Sequence, residues 1–337
     1  AETSPSTVGG RATLAADGTY SLGLTLPTGA VTVSGTIEAS SGAVSAVFVR
    51  PGQPDVSFAG VSAVTIRTDR LVNLSSRARA GTDDNTLIAG FVIGGQEPQS
   101  VILRAIGPAL RAFGVSDALA NPRLRLYRDA TIVAENDDWS SAPDAAALAA
   151  GFARVGAFAL PSGSADAALL VTLPPGAYTL QVSGAAGEGD ALAEIYHDSS
   201  AFVDGAARLV NIATRGGVSA GSALVGGFVV GGNAPKRVLV RAVGPGLAAF
   251  GVGGVLANPR LAVFAEARML AENDDWSLGD AAAEVATAGR AAGAFALAAG
   301  SRDAALVLTL LPGAYTAQVS GAGATSGTAL VEIYELP

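Results

Sequence analysis

The feature that most constrains this chain is an internal duplication. RLVNLSSRARAGTDDNTLIAGFVIGGQEPQSVILRAIGPALRAFGV, at 70–115, returns from Arg208 as RLVNIATRGGVSAGSALVGGFVVGGNAPKRVLVRAVGPGLAAFGV. LANPRLRLY then matches LANPRLAVF, LPPGAYTLQVSG matches LLPGAYTAQVSG, and ALAEIY matches ALVEIY. Arg104 and Arg241, Asn136 and Asn273, and Tyr178 and Tyr315 each stand 137 residues apart. Solenoid repeats are about 20–50 residues long, so each copy reads as a domain. The expected organisation is residues 1–68, a first repeat at 69–200 and a second at 201–337.

Within each copy the pattern is β. SVILRAIG, RLRLY, TIVAEN, AALLVTL, AYTLQVSG and ALAEIY are short runs rich in Val, Ile, Leu, Thr and Tyr, divided by turn sequences such as PPG, SGSAD and GEGD. Tyr178, Leu180 and Val182 alternate with Thr179, Gln181 and Ser183, as expected for a strand buried on one face. GPALRAFG and the alanine-rich DAAALAAGFARVGAFAL are expected as short helices. The fold class is therefore all-β: two tandem antiparallel β-sandwiches, jelly-roll-like, with short helical insertions. Residues 1–68 match neither copy. GRATLAADGTYSLGLTL, AVTVSGTIEAS, AVSAVFVRPG and DVSFAGVSAVTI read as a small β-meander turned at Asp-Gly, Thr-Gly and Ser-Gly. So few strands bury both faces poorly, and the meander is expected to lean on the first repeat or on another molecule, to which it would donate a strand. HDSSAFVDGAA, at 197–207, reads as the linker between the repeats.

Composition narrows the function. Half the residues are hydrophobic and 15% are charged, against about 25% charged in an ordinary soluble domain. Much of the surface must therefore be covered, internally or by neighbours. The apolar runs are broken by glycine and charge well short of the roughly 20 residues of a spanning helix, so membrane insertion is not expected. A net charge of −8, with Lys236 as the sole lysine, argues against a nucleic-acid partner. With no cysteine, disulfides and thiolate metal sites are excluded. AETSPSTVGG has no basic segment followed by an apolar one; the expectation is an extracellular or cell-surface protein whose signal peptide has been removed.

LYRDATIVAENDDW, followed by LLVTLPPGAYTLQVSG, resembles the bacterial pre-peptidase C-terminal type of β-sandwich, over about the second half of each repeat. The preceding RLVNLS, GFVIGG and ILRAIGP elements are similar to repeats of large secreted or surface proteins of environmental bacteria. The resemblance implies an exported accessory module without catalysis, since that sandwich is attached to peptidases rather than acting as one. Some relatives of that sandwich hold calcium in an acidic loop.

AENDDW occurs at 134–139 and at 271–276 and holds both tryptophans. Asn136, Asp137 and Asp138, with Asn273, Asp274 and Asp275, offer hard oxygens to calcium. Calcium takes six to eight ligands, so Asp144 with Asp280, or Asp166 with Asp303, would have to help. The competing reading is a self-bonded turn leaving a strand, capped by Trp139 or Trp276. Arg104 and Arg241 lie in apolar strands and need partners; Glu194 and Glu332 are the expected ones. His197, in the linker, is expected to be solvated. GFVIGGQ and GFVVGGN lack the Gly-Lys-Ser/Thr of a phosphate loop and suit bulges or close sheet packing. The NLS at Asn73 has no counterpart at Asn211 and reads as incidental. No enzyme is legible.

Two functions remain. One is a structural subunit of a surface filament, fimbria-like, self-associating into a polymer by non-covalent strand complementation. The other is an adhesion module for carbohydrate or another ligand, with or without calcium; it would gain from exposed tryptophans.

Overall fold

The computed structural model describes residues 19–26, 29–37, 43–49, 56–61, 70–82, 86–198 and 207–337. The chain divides into two compact units, residues 1–68 with 201–205, and residues 69–200 with 206–337. The Asp-Gly, Thr-Gly and Ser-Gly turns of the meander, and most of the linker, lie at least partly outside the described residues.

The smaller unit holds β1 (Thr19–Leu26), β2 (Gly29–Ile37), β3 (Ala43–Val49) and β4 (Val56–Val61). They form one antiparallel sheet in chain order, with β1 and β2 in register from Thr19 opposite Thr36 to Leu26 opposite Gly29.

The larger unit holds both repeats. The first runs β5 (Arg70–Ala80), β6 (Leu87–Gly94), β7 (Gln99–Ile106), β8 (Pro122–Arg128), β9 (Thr131–Asn136), α1 (Ala145–Arg154), β10 (Ala167–Leu173), β11 (Gly176–Gly184) and β12 (Gly189–His197). The second runs β13 (Arg208–Val218), β14 (Leu224–Gly231), β15 (Lys236–Val243), β16 (Pro259–Ala265), β17 (Arg268–Asn273), α2 (Ala282–Ala291), β18 (Ala304–Leu310), β19 (Gly313–Gly321) and β20 (Gly327–Glu335). Short 3-10 turns at Pro108–Phe113 and Pro245–Phe250 follow β7 and β15.

The strands are antiparallel throughout and fall into two paths. One reads β10-β7-β12-β5-β14-β19-β16-β17. The other reads β18-β15-β20-β13-β6-β11-β8-β9. Each repeat thus sets its first strand against the other repeat's sheet: β5 pairs with β14, and β13 with β6. A single bridge, Leu71 opposite Leu209, links the two paths.

Side-chain alternation explains which face of each strand is covered. Leu87, Ala89, Phe91 and Ile93 of β6 and Tyr178, Leu180 and Val182 of β11 are buried, with their neighbours less so. They join one core that draws Leu71, Leu74 and Phe91 from the first repeat and Leu209, Ile212 and Phe228 from the second. Each fully buried Leu or Phe contributes about 1.5–3 kcal/mol, so the shared core ties the repeats strongly. β7 and β15 are buried almost continuously because α1 and α2 cover their second faces.

The seams need glycine. A β-carbon at Gly94 would sit 2.7 Å from Val210 Cγ1, and one at Gly231 would sit 2.8 Å from Val72 Cγ1. Register shifts occur beside those valines, between Leu209 and Asn211 and between Val229 and Val230 opposite Leu71 and Asn73. The close sheet packing expected of the GFVIGG and GFVVGG strings is located here. Across the seam Ser76 Oγ donates to Thr214 Oγ1 at 2.8 Å, and Thr214 Oγ1 to the Ile88 carbonyl at 3.1 Å. Among the described residues no helix is long and apolar enough to cross a membrane.

Candidate functional site

The AENDDW element ends β9 and β17 and turns back toward the helix. Asn136 Oδ1 accepts the Ala168 N–H at 3.0 Å, and its Nδ2 donates to the Asp138 carbonyl at 3.4 Å. Asn273 repeats this with Ala305 and Asp275, at 3.0 and 3.4 Å. Both ends of each amide are engaged in clamping the turn to the next strand. Asp137, Asp138 and Asp274 are exposed and Asp275 is partly so. Among the described residues no group of three or more His, Cys, Asp or Glu side chains is placed to hold a metal ion.

The tryptophans point inward. Trp139 is 6% exposed and Trp276 is 9% exposed. The Trp139 Nε1–H donates to the Pro161 carbonyl at 3.1 Å; that of Trp276 is shared between the Ala298 carbonyl at 3.2 Å and Ser301 Oγ at 3.1 Å. Neither indole stands out on the surface as a platform for a sugar.

Asp166 and Asp303, weighed from the sequence as extra calcium ligands, are fully buried and serve the backbone. Asp166 Oδ1 accepts the N–H groups of Gly107 and Ala109 at 2.8 and 3.3 Å; Asp303 Oδ1 accepts those of Gly244 and Gly246 at 2.9 and 3.1 Å. Their own carbonyls accept the N–H of Trp139 and Trp276 at 2.9 and 2.8 Å. One aspartate thereby ties the start of the 3-10 turn to the AENDDW turn. Asp144 precedes α1 without capping it through its side chain.

The buried arginines stand beside the glutamates. Arg104 Nε lies 3.1 Å from Glu194 Oε2 and Arg241 Nη2 lies 3.0 Å from Glu332 Oε2, in each case an ion pair by distance but outside hydrogen-bond alignment. Each Nη1 donates to a phenylalanine carbonyl, Phe158 at 2.8 Å or Phe295 at 2.7 Å. The guanidinium of Arg104 lies over the rings of Phe158 and Phe152, at 4.4 and 4.7 Å; that of Arg241 lies over Phe295 at 4.2 Å. Tyr196 and Tyr334 donate their hydroxyls to Glu194 and Glu332, at 2.9 and 2.7 Å. Burial pushes both carboxyls above their usual range, while the guanidinium and the tyrosine hydroxyl pull them back. The tyrosine was the part of this cluster that sequence reasoning missed, although AEIY and VEIY place it two residues after the glutamate in both copies.

His197 is a correction. It does not lie in a solvated linker: it ends β12, is buried, and its Nε2 lies 3.3 Å from the Ala207 carbonyl. The strand runs to 197 because Ile102 and Val101 of β7 continue the pairing opposite Tyr196 and His197. Its counterpart Glu335 is also buried, and holds Arg208 at 2.7 Å and Lys236 at 2.9 Å. Asn73, in the NLS sequence, is buried and donates to the carbonyls of Leu74 and Ile195, both at 3.2 Å.

No family model and no curated protein matches the chain. Among solved structures, a crystal structure of the 11S allergen from Cocos nucifera L. is 7% identical over 88% of this chain and 86% of that one, with a TM-score of 0.18. A likeness that low carries no argument about fold or function.

Proposed function

We propose that this chain is a non-catalytic extracellular structural protein, the subunit of a surface filament assembled head-to-tail by non-covalent β-strand pairing. In this reading each repeat is a four-on-four, jelly-roll-like sandwich that resembles pre-peptidase C-terminal domains. The observation that carries it is the strand order of the smaller unit: β1 and β4 each have one partner among the described residues. An unpaired edge is a template for another chain. Two further features support it. The repeats already join to each other edge to edge, at β5 with β14 and β13 with β6. The outermost strands β9 and β17 also expose Ile132, Val133 and Met269. A contact between unlike edges propagates as a filament wherever its rotation does not close a ring.

Negative-stain electron microscopy of the purified full chain at increasing concentration tests the proposal. Filaments that disappear when residues 1–68 are removed are the expected result; dispersed monomers at every concentration would overturn it. A second reading, adhesion to carbohydrate, draws on Phe113 and Phe250, which stand at equivalent positions and are exposed. A glycan-array signal lost in the Phe113→Ala, Phe250→Ala double variant would favour it. A calcium-dependent form of this adhesion would rest on Asp137, Asp138, Asp274 and Asp275, since Asn136 and Asn273 are engaged by the fold.

A further inference from the structure

The repeats part company where a helix covers the outer face of β7 or β15. In the first repeat Phe152 of α1 is buried, with its ring 5.5 Å from that of Trp139 and 4.7 Å below the Arg104 guanidinium. The Arg104 guanidinium is thus covered by two phenyl rings, Phe152 and Phe158. In the second repeat the residue 137 positions later is Gly289, and the neighbouring positions are trimmed as well: Leu148 becomes Val285 and Val155 becomes Ala292. Phe158 is kept, as Phe295, and Trp139 as Trp276.

The trimmed space is open. A β-carbon built at Gly289 meets no heavy atom within 4 Å. A cavity of about 280 Å³ lies there, lined by Arg241, Trp276, Val285, Gly289, Arg290 and Leu297 among others. An apolar cavity of about 150 Å³ is enough to hold benzene, so this one has room for a ring and a short substituent. Arg241 keeps Phe295 against one side, at 4.2 Å, and lines the cavity where the first repeat carries its second phenyl. Arg290 belongs to the second repeat alone, since Ala153 stands at its equivalent. Its side chain is exposed at the cavity and donates to the Thr287 hydroxyl at 3.1 Å, an uncharged partner.

We propose that the second repeat carries a binding site for a single-ring aromatic acid, whose ring takes the place that Phe152 fills in the first repeat and whose carboxylate meets Arg290. The ring lies between the Trp276 indole and the Arg241 guanidinium, which attracts a π-face. The carboxylate remains at the mouth, where Arg290 can hold it with charge-assisted hydrogen bonds.

Phenylacetate is the probe, with cyclohexylacetate as its non-aromatic control, followed on the full chain by ligand-observed NMR and thermal shift. Saturable binding of phenylacetate is expected, with a raised Tm and clearly weaker binding of cyclohexylacetate. Gly289→Phe fills the cavity and is expected to abolish binding while raising the Tm of the unliganded protein. Arg290→Glu, an exposed substitution that spares the core, is expected to weaken phenylacetate by about ten-fold or more, the worth of one charge-assisted contact. Absence of binding to the wild-type chain would overturn the proposal. So would equal affinity for the two acids, or binding that survives both substitutions.

Discussion

At the scale of the residue, the buried charges decide most. A guanidinium that is 0% exposed beside a carboxylate that is 5% exposed cannot lose one partner cheaply. Arg104→Leu or Glu194→Leu alone is expected to cost about 3–5 kcal/mol, whereas the double Leu variant costs much less. Urea denaturation of the three proteins measures this, and a double variant as damaged as the sum of the singles would contradict the pairing. His197 makes a separate prediction. Burial, with the charge of Arg70, pushes its imidazole below the ordinary value of 6.5, against the pull of the Ala207 carbonyl and Asp198. A depressed folded value means that the unfolded chain takes up the proton first. Stability from this group is therefore full above about pH 6.5 and is lost as pH falls toward the folded value, by up to about 1.4 kcal/mol per pH unit. The stability advantage of wild type over His197→Gln should shrink as pH falls below about 6.5, and a difference that stays constant from neutral pH to about pH 5 would refute it. The Arg–Glu pairs were legible in the sequence because a charge inside so apolar a strand must find its opposite. The role of Asp166 was not, because its partner N–H groups lie 57 and 59 residues away and leave no local trace.

At the scale of the element, alternation and turn residues announced the strands, and the alanine-rich run announced α1 and α2. What they could not announce was which strand lies beside which. β5 pairs with β12 of its own repeat, and in the other repeat with β14 along its length and β13 at a single bridge; its side-chain pattern would be the same with any neighbour on that edge. The clue was indirect: glycines in GFVIGG and GFVVGG that require a close approach. Valine is stiff about χ1, so Val210 cannot swing clear of a β-carbon at Gly94. Gly94→Ala is expected to destabilise by about 1–3 kcal/mol through overpacking, and Val210→Ala in the same chain to restore part of the loss. Differential scanning calorimetry of the two variants checks it; a neutral Gly94→Ala would mean that the seam is looser than described. His197 was misread for a related reason, since nothing in HDSSAFVDGAA marks where pairing with β7 stops.

At the scale of the whole molecule, the repeats form one structural body, with a common core and strands paired edge to edge across both seams. Urea unfolding of residues 69–337 should therefore follow one cooperative transition, and two separated transitions would show that the seams are weak. The same chemistry extended outward gives the proposed filament, in which the edge of a four-stranded sheet finds in a neighbouring copy what the repeats find in each other. Amide hydrogen exchange on the full chain, dilute and concentrated, reads that edge directly. Alternate amides of β1 or β4 are expected to gain protection as concentration rises, along with growth in mass beyond the 33.2 kDa chain. Unchanged exchange along both strands, in a species that remains at the mass of one chain, would contradict it.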